Sequence, residues 1–258
     1  MTEKGGIISM YKNFISKVNS SKKKKVAEEF TIMDDKTPFA IREAYKALYT
    51  NILYLNTPDK CKKIAITSAI PGEGKTTLAT NLALTIAENS QNKRVLLVDM
   101  DMRQPKVTRL LSLDIRGRGL SEYLAGIDEK PYLNYIPRHN ITVLTSGGPN
   151  VNPSMLIGSS RMAELIRLCE SQFDYIIIDT PPVNVVSDAL LLNDVVNGYI
   201  ISTLSDYSDV NHVSECVESL NRIGAEIYGV VLSSLKVKPG SSGYSRYNSK
   251  YSKYAKTK

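Results

Sequence analysis

Ile64-Ala65-Ile66, followed by Ala69-Ile70-Pro71-Gly72-Glu73-Gly74-Lys75-Thr76-Thr77, is the stretch that decides the fold. A short apolar run gives way to a loop with two glycines, and the loop opens a helix-length segment around residues 75 to 89. Strand, loop and helix in that order are the context a phosphate-binding loop requires, because successive backbone N–H groups and the positive end of the helix then face an anion. Lys75 can bridge the β and γ phosphates of a nucleotide, and the Thr76 hydroxyl can ligate Mg²⁺. Gly72 and Gly74 let the backbone approach closely. The candidate nucleotide cradle is therefore Gly72, Glu73, Gly74, Lys75, Thr76 and Thr77. Ala69 stands where the usual pattern has its first glycine, a departure small enough to preserve the loop.

Two further apolar runs end in acid. In Val95-Leu96-Leu97-Val98-Asp99-Met100-Asp101-Met102-Arg103, two carboxylates two residues apart point the same way if the strand stays extended, and both can then face a metal-bound phosphate. In Ile176-Ile177-Ile178-Asp179-Thr180-Pro181-Pro182, Asp179 follows a buried-strand pattern and can hold the hydration shell of Mg²⁺ from the opposite side. Thr76, Asp99, Asp101 and Asp179 are the expected metal set, with ATP and Mg²⁺ as the expected ligands. The chain has no Asn-Lys-x-Asp motif, which argues against GTP.

Ile141-Thr142-Val143-Leu144, Tyr199-Ile200-Ile201 and Gly229-Val230-Val231-Leu232 complete a set of short apolar runs, with helix-length segments around 159 to 170 and 209 to 223 between them. Near-continuous β-branched runs separated by helices mean strands buried on both faces. The fold class is α/β, a mostly parallel central sheet with helices on both faces. Ahead of the first strand, Thr37 and Pro38 offer an N-cap and a first-turn proline. Ile41, Tyr45, Leu48, Ile52 and Leu55 then recur at helical spacing, predicting a helix over 38 to 55.

The chain divides into three parts: a basic appendage at 1 to 36, the nucleotide-binding domain at 37 to 235, and a tail at 236 to 258. In the appendage, Ile7, Ile8, Tyr11, Phe14, Ile15 and Val18 fall at helical spacing beside Lys12 and Lys17, a face suited to a membrane surface, to a partner or to its own domain. The tail is low in complexity and is expected to be disordered in isolation. It carries seven Lys or Arg and no acid, while the rest balances 26 basic against 26 acidic residues, so the whole +7 sits on the tail. A neutral body argues against a nucleic-acid footprint spread over the fold. Tyr244, Tyr247, Tyr251 and Tyr254 lie in the tail amid Gly, Ser and Lys with no apolar neighbours to pack against, presented to something outside the core.

With 42% apolar and 23% charged residues in 258, the composition is globular. No apolar run is long enough to span a membrane, and Met1-Thr2-Glu3-Lys4-Gly5 lacks the order of a signal peptide, so a soluble cytoplasmic chain is expected. Cys61, Cys169 and Cys216 are odd in number and far apart, and His139 and His212 are the only histidines, which argues against a disulfide framework or a zinc site.

The loop at 69 to 76, the two acidic strand ends and the C-terminal tyrosine cluster together resemble the bacterial tyrosine kinases that regulate capsular and exopolysaccharide synthesis, from about residue 38 to the end. That family is related to the ATPases that partition chromosomes and place septa, but those relatives carry a signature lysine early in the loop where this chain has Ile70. The resemblance implies that Lys75 and Thr76 bind phosphates and metal, and that Asp99 and Asp101 coordinate the metal and help deprotonate the attacking tyrosine, without deciding which is the base. It implies that Asp179 completes the metal shell and that Arg103 contacts phosphate or a neighbouring subunit. Tyr244, Tyr247, Tyr251 and Tyr254 would enter a neighbour's active site within a ring.

Two departures accompany it. The ring-contact helix of the family carries a glutamate followed at three-residue intervals by two arginines. Here Glu43 is followed by Lys46 and Tyr49, which form no arginine fork, so the expected contact residues Glu43 and Lys46 make a degraded motif. Ser233-Ser234 stands where the family often has an asparagine near the base. The implied partners are the cytoplasmic segment of a transmembrane adaptor that controls polysaccharide chain length, further copies of the chain, and a cognate tyrosine phosphatase. The implied location is the inner face of the membrane. A positioning ATPase and a catalytically silent nucleotide-binding scaffold are the competing readings; phosphotyrosine separates the first from both, and phosphate release separates them from each other.

Overall fold

The computed structural model describes residues 32–34, 36–113, 118–149 and 152–233. The basic helix expected near the N-terminus and the tyrosine tail both lie outside the described residues. Seven strands form one sheet: β1 (Lys62–Ser68), β2 (Val95–Asp99), β3 (Asn134–Ile136), β4 (Ile141–Leu144), β5 (Tyr175–Asp179), β6 (Gly198–Leu204) and β7 (Ile227–Ser233). Their order is β3-β4-β2-β5-β1-β6-β7, parallel throughout except for β3, which runs antiparallel at one edge. The six expected runs are all strands. The seventh, β3, went unread because Asn134-Tyr135-Ile136 is three residues long and its central tyrosine is exposed, so it has no apolar signature.

Helices cover both faces: α1 (Phe39–Leu53), α2 (Lys75–Asn89) and α3 (Val107–Leu110) on one side, α4 (Leu120–Leu124), α6 (Ser160–Glu170) and α7 (Val210–Arg222) on the other, with α5 (Pro153–Ile157) preceding α6. The period of two along each strand sorts the core into two layers. Ile64, Ile66, Val95, Leu97, Tyr175 and Ile177 meet Leu78, Leu82, Ile86 and Val107 on the first face. Ala65, Leu96, Val98, Ile176 and Ile178 meet Leu120, Leu165, Ile166 and Cys216 on the second. Strands buried on both faces explain the unbroken apolar runs in the sequence.

Helix α2 is buried nearly all round, because α1 packs over it and the sheet lies beneath. Tyr45, Leu48, Tyr49 and Ile52 supply that contact, and the Tyr49 ring meets Tyr175 edge-on at 6.3 Å. The ends of α1 differ from the sequence reading. Pro38 occupies the N-cap position with no side-chain cap, since the Thr37 hydroxyl donates to Asp34 Oδ1 at 3.1 Å and accepts from Asp34 N at 2.9 Å. At the other end Lys62 Nζ donates to the carbonyls of Ile52, Leu53 and Leu55 at 2.8, 2.7 and 2.8 Å, closing the helix with a cation from the start of β1. The chain touches the domain ahead of α1, where Met33 N donates to Asn81 Oδ1 at 2.9 Å. Among the described residues no helix is long and apolar enough to cross a membrane.

This topology places the carboxyl ends of β1, β2 and β5 side by side. Asp99 and Asp179 are register partners on adjacent parallel strands, and Ile66 of β1 pairs with Asp179 from the other side.

Candidate functional site

The loop leaves β1 at Ser68 and enters α2 at Lys75. Gly72 and Gly74 adopt left-handed backbone at φ +85° and +79°, and Gly74 is the residue that caps α2. A side chain at either position would be strained, so both glycines are required by the turn. Among the described residues, no acceptor takes a hydrogen bond from the amides of Gly72, Glu73, Gly74, Lys75 or Thr76. Five free amides at the start of a long helix form an anion nest. The Glu73 side chain does not share in it. Fully buried, its carboxylate accepts from Ile70 N at 2.9 Å and from Ser208 Oγ, and burial raises its proton affinity against those bonds.

Lys75 reaches from α2 to Asp101, Nζ to Oδ2 at 2.9 Å, with both side chains almost wholly buried. Burial disfavours its charge, but Asp179, Asp101 and Asp99 around it outweigh burial and hold the ammonium more firmly than in water. Asp101 Oδ1 accepts from Gln104 N at 3.0 Å. Asp99 Oδ2 accepts from the amides of Lys106 and Val107 at 3.2 and 3.1 Å, where α3 begins, while its Oδ1 has no partner. Asp179 has no hydrogen-bond partner on either oxygen. Burial, then the charge of Asp179, pushes the Asp99 carboxyl well above its ordinary value. Burial pushes Asp179 to about 6 against the opposing pull of the Lys75 ammonium.

The carboxylates meet by a different route from the one the sequence suggested. Strand β2 ends at Asp99, and Met102 N folds back onto Met100 O at 2.8 Å, so Asp101 arrives through a turn and not along an extended strand. Convergence of Asp99 with Asp179 comes from the pairing of β2 with β5, which no motif spacing reveals.

One buried ammonium among three buried carboxylates leaves a formal charge of −2 when all are ionised. Three carboxylate oxygens have no hydrogen-bond donor. Buried polar groups are almost always satisfied, so these oxygens fit the chemistry of a divalent cation. Among the described residues no cluster of ligands forms a ready-made protein cage. Mg²⁺ calls for none, since it keeps several waters and phosphate oxygens about one or two carboxylates.

The remaining expected residues lie elsewhere. Arg103 spends its fork on Asp188, Nε to Oδ2 at 2.8 Å and Nη2 to Oδ1 at 3.2 Å, and Nη2 also donates to Ser154 Oγ at 2.9 Å. It thereby ties the segment after Asp101 to α5 and to the 3₁₀ turn Ser187–Leu192. Glu43 and Lys46 pair with each other on the exposed face of α1 at 2.9 Å, whereas Tyr49 turns into the domain. Thr77 is half-buried beside Thr76. The sequence reading missed Asp188, a single acid in an apolar run and only 1% exposed, and Tyr207, whose hydroxyl donates to Pro71 O at 2.9 Å.

A phosphate-accepting loop, a buried lysine and strand-end carboxylates on a mostly parallel sheet define a domain that binds a nucleotide with a divalent metal. A family model described as an AAA domain matches residues 61–228. The tyrosine-protein kinase YwqD of Bacillus subtilis is 32% identical over 208 residues, covering 81% of this chain and 86% of that protein. The tyrosine-protein kinase CpsD of Streptococcus pneumoniae is 33% identical over 202 residues, covering 78% and 87%. The solved kinase domain of the Escherichia coli tyrosine kinase ETK superposes with a TM-score of 0.74 at 28% identity, covering 89% of this chain and 90% of that one. The chain belongs to the bacterial tyrosine-protein kinases.

Proposed function

We propose that this chain transfers the γ-phosphoryl group of ATP to tyrosine, that its acceptors are Tyr244, Tyr247, Tyr251 and Tyr254 of a neighbouring copy, and that it serves capsular or extracellular polysaccharide synthesis. The observation that carries the reading is the Lys75–Asp101 pair set beside two carboxylates with unpartnered oxygens, at the mouth of a loop whose amides are free. The kinase names of the relatives support the choice of tyrosine as acceptor.

The amides of Gly72 to Thr76 and the Lys75 ammonium hold the β and γ phosphates and draw off charge as the terminal phosphoryl group leaves. Thr76, Asp99, Asp101 and Asp179 would hold Mg²⁺, which would supply further neutralisation of the phosphate oxygens. The acceptor hydroxyl gives its proton to the Asp99–Asp101 pair, in which Asp99 Oδ1 is the oxygen left without a hydrogen bond. The phenolic oxygen forms a bond to Pγ, the bond from Pγ to the β-phosphate oxygen breaks, and ADP departs. Arg103, engaged with Asp188 and Ser154, fixes the backbone that presents Asp101.

Glu43 and Lys46 lie at the contact between copies in an oligomeric ring. The activating partner is the cytoplasmic segment of a transmembrane adaptor at the inner face of the membrane, the basic N-terminal segment adds a peripheral membrane contact, and a tyrosine phosphatase resets the tail. Phosphosite mass spectrometry after incubation with Mg·ATP, with and without the adaptor segment and beside Lys75→Met, tests the reading. Phosphate on Tyr244 to Tyr254 that vanishes in the variant supports it. An unmodified tail under activating conditions, with ATP still bound, moves the assignment to a positioning ATPase or a silent scaffold.

A further inference from the structure

An anion nest works by converging N–H groups, so the carbonyls of the same peptides turn outward and must be satisfied elsewhere. For Ile70, Pro71 and Glu73 the donors are hydroxyls. Ser68 Oγ donates to Ile70 O at 2.9 Å, Tyr207 Oη to Pro71 O at 2.9 Å, and Ser202 Oγ to Glu73 O at 2.6 Å. Glu73 closes the loop from behind through Ile70 N and Ser208 Oγ. Ser202, Tyr207 and Ser208 all come from β6 and the turn that follows it.

That turn is held firmly. Asp206 adopts left-handed backbone at φ +63°, the amides of Tyr207 and Ser208 donate to Leu204 O at 3.2 and 2.9 Å, and Leu204 N donates back to Ser208 Oγ at 2.7 Å. The Tyr207 ring consequently lies over Gly72, where a Cβ would meet its hydroxyl at 3.0 Å. Ser68 and Ser202 are buried, but Tyr207 is partly exposed at the lip of the loop.

We propose that Tyr207 is a positioning residue for the nucleotide: by anchoring the Pro71 carbonyl it holds the amides of Gly72 to Thr76 converged before the phosphates arrive. Without that anchor the Pro71–Gly72 peptide is free to rotate, and the nucleotide must order the loop as it binds. The ordering cost is subtracted from affinity, while the chemical step, which begins from an already ordered complex, is unchanged.

The proposal rests on the reading of this loop as the nucleotide site, and one titration series separates the two. ADP binding to the full chain is measured for wild type, Lys75→Met and Tyr207→Phe, the last keeping the ring over Gly72 and removing only the donor. Loss of one neutral hydrogen bond predicts about a fivefold rise in the Kd for ADP and in KM for ATP in Tyr207→Phe. It also predicts kcat within about twofold of wild type, an unchanged melting temperature, and faster hydrogen exchange at the amides of residues 72 to 76 in the nucleotide-free protein. Equal ADP affinity in wild type and Tyr207→Phe overturns the proposal and leaves the nucleotide site standing, as does a fall in kcat at unchanged Kd. Absence of ADP binding by wild type overturns both.

Discussion

Replacing Asp179 with asparagine should make the metal-free, nucleotide-free protein more stable. Asp179 is fully buried on β5 without a hydrogen-bond partner, and its carboxyl titrates at about 6 in the folded chain against 3.8 for the ordinary group. A rise of that size is worth about 3 kcal/mol against the folded state once the group is ionised. The sign follows from the direction. Below about pH 4 the group is protonated folded or unfolded and costs nothing; between about 4 and 6 the unfolded chain gains by ionising first; above about 6 the full penalty applies. A neutral carboxamide at this position would carry none of it. For a domain of this size the gain corresponds to about 6 to 12 °C in Tm at pH 7.5. Lys75 loses one of its counter-charges in Asp179→Asn but keeps Asp101 at 2.9 Å, so the lower end of that range is expected. Differential scanning calorimetry with EDTA at pH 4.5 and 7.5 makes the measurement, and the difference between the proteins should shrink toward the lower pH. Added Mg·ADP should raise the Tm of wild type more than that of the variant. A variant less stable than wild type at pH 7.5, or a difference independent of pH, would refute the reasoning.

The Arg103–Asp188 pair should behave asymmetrically: Arg103→Ala leaves a buried carboxylate with Ser154 as its one remaining partner among those described, whereas Asp188→Asn leaves a partly exposed guanidinium that water can reach, so chemical denaturation should show the arginine variant weaker by about 1 to 2 kcal/mol. Full phosphorylation of the four tail tyrosines adds about −6 to −8 charges to a segment of formal charge +7, so light scattering should find the phosphorylated form at lower mass than the unmodified one. Deleting residues 1 to 30 should weaken binding to vesicles with anionic lipid, each removed lysine near the surface counting for up to about 1 kcal/mol, and sedimentation with liposomes measures it.

The layers of the fold were legible because strands buried on both faces write their burial directly into sequence. Val95 to Val98 and Tyr175 to Ile178 admit no charged residue, and the helix from Lys75 begins where its loop ends. A three-residue strand with an exposed central tyrosine carries no such mark, which is why Asn134 to Ile136 passed unread, while β7 at the other edge shows itself through Val230, Val231 and Leu232. The site divides along the same line. Lys75, Thr76 and the two glycines are neighbours in sequence, so their geometry is a property of one local turn. Asp99 and Asp179 are far apart in sequence and meet only through the pairing of β2 with β5, a fact of topology. Asp188, Ser154 and Tyr207 act on the site from elements whose own sequences serve other purposes, and a lone polar residue in an apolar or turn segment has too many structural explanations to be singled out in advance.

Charge connects these pieces. The body of the chain is neutral overall, yet it concentrates a formal −2 at a buried point, where Asp99 and Asp179 already resist ionising together. Lys75 meets this point directly, and its partner Asp101 also anchors the loop toward α3 through Gln104 N. A divalent cation and a basic peptide both answer the same deficit, the first by direct ligation and the second by long-range attraction that falls away within about 8 to 10 Å in physiological salt. Direct ligation would hold a cation whatever the state of the tail, whereas a lysine-rich segment proposed as acceptor would be held only while it stays basic. On the proposed assignment of the tail as acceptor, each phosphate added to it would weaken the attraction that delivered it, so a site that binds metal and nucleotide tightly could still release a modified tail.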